Sequence, residues 1–104
     1  MHRLTILYGT PADPVYFRRY YEQTHIPVAR RMRGLAAWNL SWIESGPDGP
    51  APWILVAQLY AGSSAAMDAV LASPEGQAAT ADLANFVTGT VEFLRGDEVP
   101  VDLG

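Results

Sequence analysis

Between Trp53 and Tyr60 the chain reads WILVAQLY, a run in which only Gln58 is polar. A strand apolar on both faces must be covered on both, so this segment is expected at the centre of a sheet. The flanking chain agrees. Ser45 to Pro52 (SGPDGPAP) is too rich in turn formers to be anything but a loop, and Gly62-Ser63-Ser64 ends the run on the other side.

The remaining segments can be placed around that strand. Leu4 to Tyr8 alternates Leu4, Ile6 and Tyr8 against Thr5 and Leu7, and stops at Gly9-Thr10-Pro11-Ala12. Leu35 to Glu44 sets Ala36, Trp38, Leu40 and Trp42 against Ala37, Asn39, Ser41 and Ile43. Val87 to Arg95 is a fourth strand. Between the first two strands, Asp13 to Gly34 reads as a helix with Asp13 as N-cap, Pro14 at its first position and Gly34 beyond its end. Arg30, Arg31 and Arg33 complement the negative end of its dipole. At helical spacing Phe17, Tyr20, Tyr21, Thr24, Val28 and Met32 share one face, and Arg19, Glu22, Arg30 and Arg33 the other. Pro27 has no N–H to donate to Gln23 and disfavours helical geometry at Ile26, so a kink or break is expected there, with free carbonyl groups beside His25.

After the central strand, the spacing predicts a short helix over Ala65–Ala72 that buries Met67, Val70 and Leu71. Ser73-Pro74-Glu75 then combines an N-cap, a proline at the first position and a carboxylate in the first turn, and starts another helix to about Ala84.

The order is β-α-β-β-α-β, with the second helix in two pieces. Short, right-handed connections turn it into an α+β, ferredoxin-like, four-stranded antiparallel sheet with helices on one face. The strands carry apolar residues on both faces, so the second face calls for a second copy of the chain, a homodimer packed through its sheet faces. At 104 residues the chain is expected to be one domain, 1–104, with roughly a third of its unfolded surface still exposed after folding.

Composition removes several function classes. The formal charge is −4 and all seven basic residues are arginines, five of them on the first helix with Glu22 among them, so nucleic acid is not an expected partner. There is no lysine for a Schiff base and no cysteine for a thiolate nucleophile or a disulfide, which suits the cytoplasm. No apolar run is long enough for a membrane span or a signal peptide, so no membrane partner is expected. Glu22, Asp68, Glu75 and Asp82 are the carboxylates left for a metal, but they fall on helix starts or on faces read as solvated, and no protein-built metal site is expected. No glycine spacing forms a phosphate cradle, and no nicotinamide or flavin fingerprint is present, so no cofactor is expected.

Of the two histidines, His2 is read as solvated at a frayed start. His25 is set at the edge of an aromatic helix face, beside a proline fault. A half-desolvated imidazole there suits a general acid or base titrating near neutrality, and it equally suits a hydrogen-bonded packing residue. Tyr21 and Tyr8 are the candidate hydrogen-bonding helpers, so His25 and Tyr21 form the candidate catalytic pair. Tyr8, Phe17, Trp42, Asn85 and Phe86 are candidate substrate-binding residues, with Asn85 also suited to a helix C-cap. Trp38 and Trp53 are read as plain core. The expected partner is a small apolar or aromatic molecule in a pocket between helix and sheet.

Two segments, LYGTPADPVYFRRYYEQTHIPVARRMRGL and LASPEGQAATADLANFVTG, carry a resemblance. Their Tyr-Tyr-x-x-Thr-His-x-Pro and Ser-Pro-Glu-Gly-Gln blocks resemble the signature regions of EthD-domain proteins, small members of the dimeric α+β barrel superfamily. The resemblance runs from Leu4 to about Leu94. It implies a ferredoxin-like protomer whose sheet closes a barrel with that of a second copy, and it maps the family's histidine onto His25. EthD takes its name from a gene cluster for ethyl tert-butyl ether degradation built around a cytochrome P450 system. Similar proteins are often labelled reductases, a label the residues here do not support. Related barrels include cofactor-free oxygenases, isomerases, polyketide cyclases and haem enzymes. Three functions are therefore open: a His-assisted proton-transfer enzyme (isomerase, cyclase or dehydratase-like) in a catabolic or polyketide pathway, a cofactor-free oxygenase, or a non-catalytic binding or accessory dimer for a hydrophobic metabolite.

Overall fold

The computed structural model describes residues 1–104. Four strands, β1 (His2–Gly9), β2 (Ala37–Trp42), β3 (Trp53–Ala61) and β4 (Val91–Asp97), form one antiparallel sheet in the order β2-β3-β1-β4. The apolar run at 53–60 is thus an inner strand, as its two-sided pattern requires. The register aligns Leu4 with Leu59, Ile6 with Ala57 and Tyr8 with Leu55, and these side chains project to one side of the sheet. There they meet Phe17, Tyr21, Met67 and Phe86 in a single buried core. The architecture is the ferredoxin-like α+β arrangement, with every helix on that one face. No helix is long and apolar enough to cross a membrane.

The first helical segment begins as the sequence dictates. Asp13 is extended and its carboxylate accepts the Tyr16 N–H at 3.0 Å, with Pro14 next to it. Helix α1 covers Pro14–Tyr20 and α2 covers Ile26–Ala29. The chain between them neither kinks nor breaks; it widens into a π turn over Tyr21–His25, in which the Ile26 N–H bonds to the Tyr21 carbonyl. Ile26 keeps helical angles (φ −56°, ψ −48°) although a proline follows it. The missing Pro27 donor is accommodated by wider winding, one of the settings in which a π turn arises.

That extra residue shifts the phase of everything after it. A regular helix would bury Thr24 and Val28; instead Phe17, Tyr21, His25 and Ala29 are buried, four residues apart, and Thr24 is exposed. The helix also ends at Ala29 and not at Arg33, because Arg31 and Met32 close tighter turns onto Val28 and Ala29. Gly34, at φ +97°, then reverses the chain in the left-handed region, where a side chain would be strained.

Helix α3 (Ser64–Ala72) and helix α4 (Pro74–Asp82) meet at Ser73, whose hydroxyl donates to the Val70 carbonyl at 2.6 Å and accepts the Gly76 N–H at 3.0 Å. A 3₁₀ turn, Leu83–Asn85, follows. The last strand starts at Val91, not at Val87. Val87 still bonds back to Leu83, Thr88 receives the Ala12 N–H, and pairing with β1 is under way only once the Thr90 carbonyl accepts from Gly9. His2 is not frayed either. It lies in β1, and its Nε2 accepts from Arg95 Nε at 3.0 Å.

The junction of α3 and α4 leaves no room at Gly76, where a Cβ would collide with the Val70 and Leu71 carbonyl oxygens. Gly76→Ala is therefore expected to destabilise the fold by about 1–3 kcal/mol despite alanine's better helix propensity. Urea unfolding should show a lower midpoint at unchanged slope.

Candidate active site

The helix layer does not seal onto the sheet. A cavity of about 300 Å³ remains between them, lined by β1 (Leu4, Ile6, Tyr8), by Tyr21, His25 and Met32 of the first helical segment, and by Trp38, Leu59, Leu71 and Ala79 among others. Its walls are mostly apolar, and its volume is at the lower end of what small-molecule sites occupy.

His25 is the polar centre of this wall. The π turn carries it into the interior, where it is only 4 % exposed, with its ring against Tyr21 and Phe86 at centroid distances of 4.9 and 5.0 Å. Behind the ring, Nδ1 lies 2.9 Å from Oδ2 of Asp82, the last residue of α4 and itself 9 % exposed. The other carboxylate oxygen accepts the Tyr20 hydroxyl at 2.7 Å and the Asn85 amide at 2.9 Å. Burial pushes the Asp82 carboxyl up, but these hydrogen bonds to the charged form outweigh it and hold the group below the usual carboxylate range. An ionised carboxylate only accepts, so the proton between the pair sits on His25 Nδ1. Nε2 is then the nitrogen available to the cavity. Burial lowers the imidazole's proton affinity more than Asp82 raises it, which leaves Nε2 with a free lone pair near neutral pH.

The other polar groups of the cavity differ in how far they are already used. Arg95 is tied to Asp68 at 2.6 Å, to Ser64 and to His2, and the Thr80 hydroxyl donates to the Gly76 carbonyl. Tyr8 and Tyr21 sit side by side with rings 5.8 Å apart, and burial drives both phenols well above their ordinary value, so they stay protonated. The Trp38 indole Nε1 is buried, with no hydrogen bond to satisfy it. An orphan donor of this kind costs about 1–3 kcal/mol.

His25, Tyr21 and Tyr8 thus line the cavity together. Phe17, Trp42, Asn85 and Phe86 do not. Phe17 is packed within the core at 1 % exposure, and Trp42 lies behind Phe17 and Tyr21 with the Arg18 guanidinium 4.6 Å over its outer face. Phe86 supports the imidazole from behind, and Asn85 acts on the site only through Asp82. Trp38, read as plain core, forms part of the wall. Asp82, read as solvated, is the buried partner of His25. Its burial was available in the pattern, since Gly76, Ala79, Asp82 and Phe86 recur at three- and four-residue intervals along one helical face. The alanines around it hid the signal. The other carboxylates are dispersed, Glu22 on Arg18 and Asp68 on Arg95, and no three His, Asp or Glu side chains gather as a metal-binding group.

Residues 10–90 match the EthD domain. An uncharacterized 11.0 kDa protein in the thcB-thcC intergenic region of Rhodococcus erythropolis is 39 % identical over 101 residues, which is 97 % of this chain and 98 % of that protein. The crystal structure of an ethyl tert-butyl ether d (EthD) family protein from Bacillus halodurans superposes with a TM-score of 0.90 at 26 % identity, over 95 % of this chain and 99 % of that one. A dimeric protein of unknown function and ferredoxin-like fold from Bacteroides fragilis has a TM-score of 0.69 at 10 % identity, over 93 % and 95 % of the two chains. At that identity it speaks for the fold alone.

The state of the pair sets a pH dependence. Folded His25 releases its proton more readily than the unfolded residue, whose pKa is about 6.5, so below that value the unfolded chain binds more protons. Stability from His25 is complete above about pH 6.5 and is lost as pH falls toward the folded value. The depressed Asp82 carboxyl adds a second loss at lower pH, beginning below its unfolded 3.8. Urea midpoints measured between about pH 7.5 and pH 5 are expected to fall, and His25→Gln to flatten that fall.

Proposed function

The chain belongs to the EthD domain family, and from that premise we propose that it is an enzyme that moves a proton on a small, largely apolar or aromatic compound. One observation carries this reading: a buried His–Asp pair whose free imidazole nitrogen opens onto an otherwise apolar cavity. His25 Nε2 accepts a proton from an acidic C–H or O–H of the bound compound. The imidazolium formed is stabilised by the Asp82 carboxylate, which Tyr20 and Asn85 hold in place. Returning the proton to a different atom gives isomerisation, cyclisation or dehydration. Such assistance contributes about 10²–10⁴ in rate.

Asp82 acts through His25 as a positioning residue, fixing the tautomer that leaves Nε2 unprotonated. Uptake of solvent deuterium at the carbon next to the carbonyl of 1-tetralone, an aromatic carbon acid, reads the reaction directly. His25→Gln is expected to lower the exchange rate by about 10²-fold or more. In the intact protein, exchange should rise with pH through an apparent pKa below about 6.5, the ordinary histidine value, and then level off. In Asp82→Asn that inflection should move. If 1-tetralone binds and exchange is the same in wild type and His25→Gln, the protein is a binding or delivery module and the proton-transfer reading fails.

We further propose that the working form is a homodimer. The sheet face away from the helices presents Leu7, Val56 and Tyr60 half-buried and Leu94 at 53 % exposure, with no helix over it. A second copy packed there buries an apolar surface that a soluble protomer would otherwise leave wet. The Bacteroides fragilis protein of the same fold is itself dimeric. Sedimentation is expected to give twice the 11.3 kDa chain mass, and Val56→Arg, at the centre of that face, should return the protein to monomer.

A further inference from the structure

Few polar groups face the cavity, and most of those left without a partner can donate. Its backbone walls are paired within helices and strands, and Thr80 and Arg95 spend their hydrogen bonds on the protein. That leaves the Trp38 indole N–H, the Tyr8 and Tyr21 hydroxyls and the lone pair of His25. The indole Nε1 can only donate, and it is buried with no partner. The Tyr21 hydroxyl lies beside both the Tyr8 hydroxyl and the Trp38 indole, whose N–H makes no well-formed hydrogen bond to it. Three uncharged donors therefore lie together in an apolar wall, on the residues that flank His25.

We infer that the compound this cavity takes carries a carbonyl-type oxygen, as in a ketone, an enone or a quinone, which accepts the Trp38 indole N–H and the neighbouring tyrosine hydroxyls. This rests on the proton-transfer reading for its chemistry and on the unpaired donors for its geometry. When Nε2 of His25 removes a proton from the carbon next to the carbonyl, the C–H bond breaks and an N–H bond forms. The C–H electron pair moves into a new C–C double bond, and the carbonyl pair moves onto oxygen. The enolate oxygen then receives the donors, which bind it more strongly than the neutral ketone because it carries charge. No oxidant or reductant is consumed. A hydrocarbon of the same shape would fill the cavity and leave the indole unpaired, so the site discriminates by what the ligand accepts.

The test compares 1-tetralone with tetralin, which differ in the carbonyl alone. Wild type is expected to bind 1-tetralone about tenfold more tightly, the worth of one satisfied buried donor. Trp38→Phe should lose most of that preference while its affinity for tetralin stays close to wild type. In the unaltered protein, the Trp38 indole N–H resonance, identified as the one missing from Trp38→Phe, should move downfield with 1-tetralone and stay in place with tetralin. This readout holds even if the variant folds poorly. Equal binding of the two compounds, an indole resonance that does not distinguish them, or no binding of 1-tetralone at millimolar concentration overturns the acceptor site. Preferential binding without deuterium exchange supports the acceptor site and removes the proton transfer from His25, so the two readings fail separately.

Discussion

A buried carboxylate must be surrounded by donors, and in this protein that requirement joins α4 to the first helical segment. Asp82 sits at the end of α4, yet two of its three donors, Tyr20 and His25, come from the first helical segment, 62 and 57 residues away. Isolated in an apolar interior, an ionised carboxylate would cost several kcal/mol. With Tyr20, His25 and Asn85 around it, the charge is held in place and becomes the fixed point against which the imidazole is oriented. Removing one donor would strand a charge in the interior, so the four side chains stand or fall as a unit.

The π turn is what makes that meeting geometrically available. Pro27 removes one backbone donor, and the helix answers by winding wider over Tyr21–His25 without breaking. One extra residue in the turn moves the imidazole from the edge of the buried face to its centre, and it moves Ala29 in place of Val28 against the interior. A straight α-helix would present Thr24 there, with neither a base nor a ring to stack between Tyr21 and Phe86. The proline thus matters through the phase it imposes on the residues before it.

The cavity follows from a mismatch of sizes. Close approach of α4 to α3 depends on Gly76, and α4 offers Gly76 and Ala79 to the cavity, while the facing sheet carries Tyr8, Trp38 and Leu59. Small residues on one wall and large ones on the other leave a space that no side chain fills. The polar groups that remain without a partner are two tyrosine hydroxyls, an indole N–H and one imidazole nitrogen.

Much of this was legible in the chain itself. Period-2 alternation and the turn-rich segments determined the number and order of strands, because burial on one or both faces of a sheet is written in nearest-neighbour spacing. Asp13, Ser63, Ser73 and Gly34 determined where helices start and where the chain reverses, because capping is a contact within three or four residues. His25 stood out as the candidate base for the same local reason, a proline and aromatic rings close by in sequence. Only the tertiary structure decided which nitrogen of that base is free. Its partner lies on another helix, so no spacing within either segment records the pairing. Nor does any spacing record that Trp38, on a strand face that looks like ordinary core, lines a cavity and ends with its buried N–H unpaired. Pro27 marked where the first helical segment must depart from regular winding, but the choice of a π turn over a kink was decided by how its buried face could meet the sheet and α4.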